Sequence, residues 1–255
     1  MTCEAMEQVH TRARLLIAID DTDRPDEGGT GRVARTIAAR LSSRSPVWGV
    51  TRHQLAILPG INYTSRNSGN VVHLLEAPAE ESELAREIEA WIREMALPGA
   101  EPGLCICRPE ALLNNGLGME AQRRIVSREE VRAAAAEVGA ILRHPGEGDD
   151  GIIGAFAAAC LAAGGNDGRF VQLGRIRALS GELSVQEMLV AGVDEIRTVK
   201  DVIPLDAPIL AERVRPAFRG GKSVLYCLRR EDGLWAALVG APGDREKEES
   251  ARAGR

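Results

Sequence analysis

One short segment constrains this chain more than any other. Leu15, Leu16, Ile17, Ala18 and Ile19 form an apolar run that reads as a buried strand, and Asp20-Asp21-Thr22-Asp23 comes directly after it. Gly28-Gly29-Thr30-Gly31 is next, and then a helical pattern that sets Val33, Ile37 and Leu41 on one face. A strand that delivers carboxylates, succeeded by a glycine turn into a helix start, suits a metal-bound phosphate. Carboxylate oxygens suit Mg²⁺, which binds through one or two acids plus substrate phosphates. Free N–H groups at a helix start suit the phosphate. A loop that only turned the chain would not need three mutually repelling acids, although aspartate also favours turns for its own hydrogen bonds.

The rest of the sequence narrows the setting. A chain of 255 residues fits one large domain or two small ones and buries a real core. No apolar run reaches membrane-spanning length, and Met1 to Arg14 holds no apolar segment of the signal-peptide type. The expected location is cytoplasmic. Five cysteines, scattered and without a C-x-x-C pair, argue against a zinc ribbon and for a reducing compartment. A net charge of −5 and 3% aromatic residues give neither the basic excess nor the stacking platforms of a dedicated nucleic-acid binder. Lysine occurs only at Lys200, Lys222 and Lys247, so any other cationic contact to phosphate must use arginine.

Strand-like and helix-like segments alternate, which predicts an α/β or α+β fold. Strands are predicted at Leu15–Ile19, Val47–Leu58, Val71–Leu75, Gly103–Cys107, Arg169–Leu179, Ser223–Leu228 and Leu234–Val239. Helices are predicted at Gly31–Ser42, Glu80–Met95, Arg128–Leu142 and Gly151–Ala163, the third opened by a Ser127-x-x-Glu130 capping box. Two modules are expected, residues 12–120 and 121–240, with 241–255 as a flexible tail.

Three stretches carry candidate chemistry. Asp20, Asp21 and Asp23 are expected to hold Mg²⁺ and act in catalysis, with Gly28, Gly29, Thr30 and Gly31 against the phosphates. Gly29-x-Gly31-x-x-Ala34 formally matches a dinucleotide fingerprint. A long acidic loop separates it from the strand, so a nicotinamide reading is rejected. Gly220-Gly221-Lys222-Ser223 mimics half of a P-loop but leads into a strand, so it reads as a turn. In the second stretch, Tyr63–Asn70, Arg66, Asn67 and Asn70 are placed to contact phosphate, ribose or base, or the segment is a solvated hairpin loop. The third, Gly148-Asp149-Asp150-Gly151, opens an apolar helix that should be buried. Asp149 or Asp150 is its N-cap, or the pair grips a metal or a cationic amine.

Together Ile17–Asp23, the glycine loop, Tyr63–Asn70 and Gly148–Ala155 resemble the archaeal tRNA(Ile) agmatinylcytidine synthetase (TiaS) family. The resemblance runs in order from Leu15 to Val239. It implies a kinase-like domain that binds ATP and Mg²⁺ through Asp20, Asp21 and Asp23, with a ferredoxin-like domain after it that helps bind agmatine. That family phosphorylates a cytidine carbonyl oxygen and lets agmatine displace the phosphate. Its loop carries a Cys-Thr-Thr with an autophosphorylated threonine. Here Thr30-Gly31-Arg32 stands there, so that threonine is displaced to Thr30 or missing. The family's nucleic-acid-binding barrel and zinc ribbon are not expected here, so tRNA is an unlikely partner without a second chain.

These motifs add up to an ATP- and Mg²⁺-dependent enzyme that activates a small molecule for attack by an amine such as agmatine. Arg66 would neutralise the transferred phosphoryl group. Asp149 and Asp150 would receive the amine. Two alternatives are a nucleotide- or agmatine-binding subunit without catalysis, and a haloacid-dehalogenase-like phosphatase built on Asp21-x-Asp23.

Overall fold

The computed structural model describes residues 11–24, 29–61, 67–198 and 202–244. Most of the expected tail, residues 245–255, lies outside the described residues. The first part of the chain runs β1 (Leu15–Asp20), α1 (Thr30–Leu41), β2 (Val47–Gln54), β3 (Ser68–Leu74), α2 (Glu81–Met95) and β4 (Gly103–Cys107). Next come α3 (Pro109–Leu112), α4 (Leu117–Ala121), α5 (Arg128–Glu137), β5 (Ile141–Arg143), α6 (Gly151–Ala163) and β6 (Arg169–Leu173). The remainder is β7 (Gly181–Leu183), α7 (Val185–Val190), β8 (Glu195–Thr198), β9 (Ile209–Ala211), β10 (Ala217–Arg219), β11 (Lys222–Arg229) and β12 (Trp235–Ala237). The mixed α/β class expected from the sequence is the one observed.

The twelve strands among the described residues join one sheet, in the order β5-β4-β1-β3-β2-β6-β10-β11-β12-β9-β7, with β8 on β11. The βαββαβ connectivity of β1 to β4, with β1 between antiparallel β3 and β4, is the ferredoxin-like arrangement. It falls within residues 12–120, whereas the sequence reading placed a ferredoxin-like module in 121–240. The carboxylates of β1 therefore leave an antiparallel sheet, not the open parallel sheet whose strand ends usually bind ligands.

The apolar run of β1 has a simple cause. Leu15, Ile17 and Ile19 pack under α1 and α2, with Val33, Ile37, Leu84 and Ile88. Leu16 and Ala18 pack under α6, with Ile152, Ala155 and Phe156. A strand covered on both faces reads as a continuous apolar run. Because side chains alternate, Asp20 continues the row of Leu16 and Ala18 and faces α6.

α6 (Gly-Ile-Ile-Gly-Ala-Phe-Ala-Ala-Ala-Cys-Leu-Ala-Ala) is buried almost throughout, as its composition predicts. Glycines bring it against the sheet: a Cβ on Gly103 would collide with the Gly151 backbone, and one on Gly69 with Ala158 Cβ. The second module's helix is thus a layer of the first module, and β2 pairs with β6 across the expected boundary. Trp48, His73, Phe170 and Phe218 fill that joint, mostly edge-to-face, with ring centroids 5.0–6.2 Å apart. No helix among the described residues is long and apolar enough to cross a membrane.

Several local expectations hold. Ser127 and Glu130 form the predicted capping box. Gly220 and Gly221, with φ of 59° and 67°, make the two-residue turn between β10 and β11. Others need correction. The helix expected at Arg128–Leu142 stops at Glu137, because Ile141–Arg143 pairs with β4 as β5. The strand expected at Arg169–Leu179 ends at Leu173 and gives way to a 3₁₀ turn at Ile176–Ala178.

Candidate functional site

A cavity of about 390 Å³ opens where β1 ends, between the starts of α1 and α6. Asp20, Asp21 and Asp23 line it, with Gly29, Thr30 and Gly31 on the α1 side and Asp150, Gly151, Ile153 and Gly154 on the α6 side. Arg35, Arg52, Ser68 and Asn70 line it from α1, β2 and β3. The sequence candidates Gly28 and Arg66 lie outside the described residues.

The acidic end is electrostatically tense. Burial pushes the Asp20 carboxyl up to about 7; the Asp21 N–H pulls it down, while the Asp21 and Asp23 charges push it further up. Burial also pushes Asp21 up to about 6, reinforced by the charges of Asp23 and Glu101. Asp21 is the one non-glycine residue with positive φ among the described residues, at 51°. Aspartate tolerates that conformation better than most residues, and such positions cluster at functional sites. Across from β1, a Cβ on Gly154 would overlap Asp20 Oδ2. The glycine leaves room for that carboxylate.

The helix start completes the cradle. The N-cap of α1 is Gly29, with φ 141° and no side-chain cap, and the first turn holds no acid. Its first N–H groups are therefore not capped by a side chain, and the helix dipole favours an anion there. Thr30 Oγ1 accepts hydrogen bonds of 3.3 Å from the N–H and hydroxyl of Thr22. These bonds tie the aspartate loop to the helix. Asn70 is 2% exposed, and its Oδ1 has no hydrogen-bond partner. A Cβ on Gly31 would lie 3.3 Å from that oxygen. An orphaned buried acceptor at a cavity wall calls for a donor or cation from a ligand.

Other candidates behave differently. Asn67 lines the cavity as well, and its Nδ2 donates to the Ala56 carbonyl at 2.7 Å, so its amide also secures the loop. Asp149 and Asp150 do not act as a pair. Asp149 binds Arg128 and Arg132 and does not line the cavity, whereas Asp150 reaches the cavity, 3.3 Å from Arg128. Asp150 holds the N-cap position of α6 without a side-chain cap bond. Among the described residues, no three His, Cys, Asp or Glu side chains converge as a ready-made metal cluster. Asp20, Asp21 and Asp23 share a cavity, not a preformed three-carboxylate cage. Arg35, Arg52 and Glu101 went unread in the sequence. Glu101 donates its N–H to Asp21 and accepts from the Asp150 N–H at 3.3 Å. A lone Glu or Arg inside an ordinary strand, helix or loop carries no spacing signal.

A second polar system lies behind the cavity. Asp167 Oδ1 sits 2.9 Å from His53 Nδ1, His53 Nε2 sits 2.8 Å from Thr51 Oγ1, and that hydroxyl sits 2.7 Å from His73 Nε2. One proton arrangement satisfies the chain. His53 Nδ1–H donates to Asp167, Thr51 O–H to His53 Nε2, and His73 Nε2–H to Thr51. Thr51, His53 and His73 are fully buried. The relay pins β2, β3 and the Asp167 turn together, with Gln122 Nε2 donating to Asp167 Oδ2 at 2.9 Å.

The fold and cavity define an α+β protein with a cavity at the junction of a ferredoxin-like unit and the helix that covers it. Solved structures share this fold. The complex of TiaS with an isoleucine tRNA and ATP is 24% identical over 58% of this chain and 36% of its own, with a TM-score of 0.51. Apo TiaS, a tRNA agmatidine synthetase, is 20% identical over 57% of this chain, with a TM-score of 0.50. A tRNA fluorescent labeling enzyme is 22% identical over 57%, at 0.51. The match spans about a third of the length of those structures, 35–36%. No protein-family model and no curated protein matches the sequence.

Proposed function

We propose that the cavity binds ATP with Mg²⁺ and transfers the γ-phosphoryl group to an oxygen of a small molecule, releasing ADP, and that an amine then displaces that oxygen as inorganic phosphate. One observation carries the reading. Two carboxylates forced together in a partly buried site face a helix start without a side-chain cap and the orphaned Asn70 oxygen. The fold neighbour solved with ATP adds support.

Asp20 and Asp21 are the residues that would hold Mg²⁺, which needs only one or two protein carboxylates when phosphates supply the rest. When bound, the ion would neutralise phosphate charge in the transition state. The N–H groups of Thr30 and Gly31 would bind phosphate oxygens, and Asn70 Oδ1 would accept from a ligand donor. Arg35 and Arg52 would stabilise charge on the transferred group, the role the sequence reading gave to Arg66. Asp150 and Glu101 would attract an ammonium or guanidinium group at the acidic end. Asp149 would not join them, because Arg128 and Arg132 already neutralise it.

The test is ATP turnover monitored by ³¹P NMR, with Mg²⁺ and a panel including agmatine, other polyamines and small acids. Release of ADP that needs Mg²⁺ and is lost in Asp21→Asn is the expected result. Turnover that persists in EDTA or in Asp21→Asn would overturn the assignment.

A further inference from the structure

The acidic end of the cavity has a basic counterpart that ATP binding leaves largely unused. Arg52 on β2 sits directly across from Arg169 on β6. Like charges in register across two strands are destabilising by themselves. Arg169 in turn pairs with Ala217, two residues after Arg215. Arg35 reaches the same face from α1, and Arg177 donates to the Val171 carbonyl at 3.3 Å, at the cavity edge. Arg32 lies one turn before Arg35, and Arg213 lies two residues before Arg215. Among the described residues, Arg32, Arg35, Arg177, Arg213 and Arg215 form no ion pair with any acid. Many other described arginines do, including Arg40, Arg44, Arg93, Arg124 and Arg128. Arg24, Arg86, Arg123 and Arg175 also form none among the described residues, but these five are neighbours: Arg215 lies near Arg177, Arg213 and Arg35, and Arg35 lies near Arg177 and Arg32. Arg215 feels Arg177, Arg213, Arg35 and Arg169 together, and burial with that repulsion lowers its guanidinium to about 10. Arg35 is lowered by burial and by Arg177 and Arg32.

A chain with net charge −5 has acids to spare, yet no described acid pairs with these five arginines. Guanidinium groups bind phosphate with two parallel N–H···O bonds and hold it in one orientation. The row begins at the cavity wall, at Arg35 and Arg52, and leaves the cavity through Arg177, Arg213 and Arg215, which do not line it. We infer that this arginine row is the binding site for a phosphate-bearing small-molecule substrate, the acceptor of the transferred group. The inference rests on the ATP reading of the acidic end and names the acceptor's chemistry. An acidic pole and a basic pole in one cleft would orient two substrates: the metal-bound nucleotide at the aspartates, and the second anion at the arginines.

Calorimetric titration with inorganic pyrophosphate in EDTA reads the row, and titration with Mg²⁺ and ATP reads the acidic end. Pyrophosphate is expected to bind the native chain and to survive Asp20→Asn/Asp21→Asn, which removes negative charge. Affinity is expected to fall by about tenfold in Arg177→Gln/Arg215→Gln, with Mg·ATP affinity changed less than about threefold. Arg177→Gln/Arg213→Gln, at two exposed positions, gives the same readout if Arg215→Gln fails to fold. No pyrophosphate binding by the native chain, or binding indifferent to these arginines, overturns the inference and leaves the ATP reading intact. Loss of Mg·ATP binding alone overturns the ATP reading and leaves the row. A single-stranded RNA of about twelve nucleotides is the third titrant. If it displaces pyrophosphate at physiological salt with a steep salt dependence, the row is a nucleic-acid surface and the small-molecule assignment is wrong.

Discussion

Asp20 lies at the end of the most apolar strand of the chain, and its position there works against stability. Its folded carboxyl titrates near 7 against an ordinary 3.8. A raised carboxyl means the folded state holds a proton more tightly than the unfolded one. The stabilising contribution is therefore present below about 4 and is lost as pH rises through about 7. Asp20→Asn removes the charge and keeps the shape. In EDTA at pH 8 the variant is expected to exceed the native protein by about 2 kcal/mol, discounted for solvent at the cavity mouth. At pH 5 that advantage should shrink to under about 1 kcal/mol. Urea unfolding at both pH values checks this, and an unchanged gap would mean that Asp20 carries no buried charge. A residue that lowers stability while filling a cavity wall is what a ligand site requires. The His53 relay works in the opposite sense. Asp167 is held below the usual carboxylate range by the His53 and Gln122 hydrogen bonds, despite its burial. Asp167→Ala should cost about 2–3 kcal/mol, because it leaves the buried His53 Nδ1–H without an acceptor.

At the scale of elements, α6 decides the site. Its glycines allow backbone to lie on backbone, so added methyl groups have graded effects. Gly103→Ala drives a Cβ into the Gly151 peptide and should cost about 2–3 kcal/mol, read as a lower urea midpoint at constant slope. Gly154→Ala meets the Asp20 side chain first, chiefly its carboxylate. It should cost less in stability, about 1 kcal/mol, and more in Mg·ATP binding. Equal losses of both in the two variants would contradict this division. α6 and β1 were legible in the sequence because burial on every side leaves a continuous apolar run, which local reading detects. β5 was not. Its residues Ile141 and Leu142 extend the apolar spacing of α5, but Gly139, with φ 69°, breaks the helix before them and the edge of β4 captures Ile141–Arg143. Strand capture is a long-range event, and β7, β9 and β10, at three residues each, are too short to show a period of their own. At the site, the aspartates and the glycine turn were readable because they are adjacent in the chain. Arg35, Arg52 and Glu101 come from three separate parts of the chain, and only the fold assembles them.

For the whole molecule, the consequence is that the two expected modules share one sheet and one core cluster. β2 joins β6, α6 covers β1, β3 and β4, and the cavity draws residues from both sides of position 120. A fragment of residues 12–120 would leave one sheet face bare of α6. It is expected to lack a cooperative thermal transition by circular dichroism, while residues 11–244 melt in one step. A fragment that folds alone would restore the modular view. The architecture also frames the central claim: the junction holds a metal-bound nucleotide at Asp20 and Asp21. Isothermal titration of ATP with Mg²⁺ tests it most directly, with the native chain, the native chain in EDTA, and Asp20→Asn/Asp21→Asn compared at pH 8. Binding is predicted in the first case, with at least a tenfold weaker affinity, about 1.4 kcal/mol or more, in the other two. Equal affinity in all three would contradict the claim.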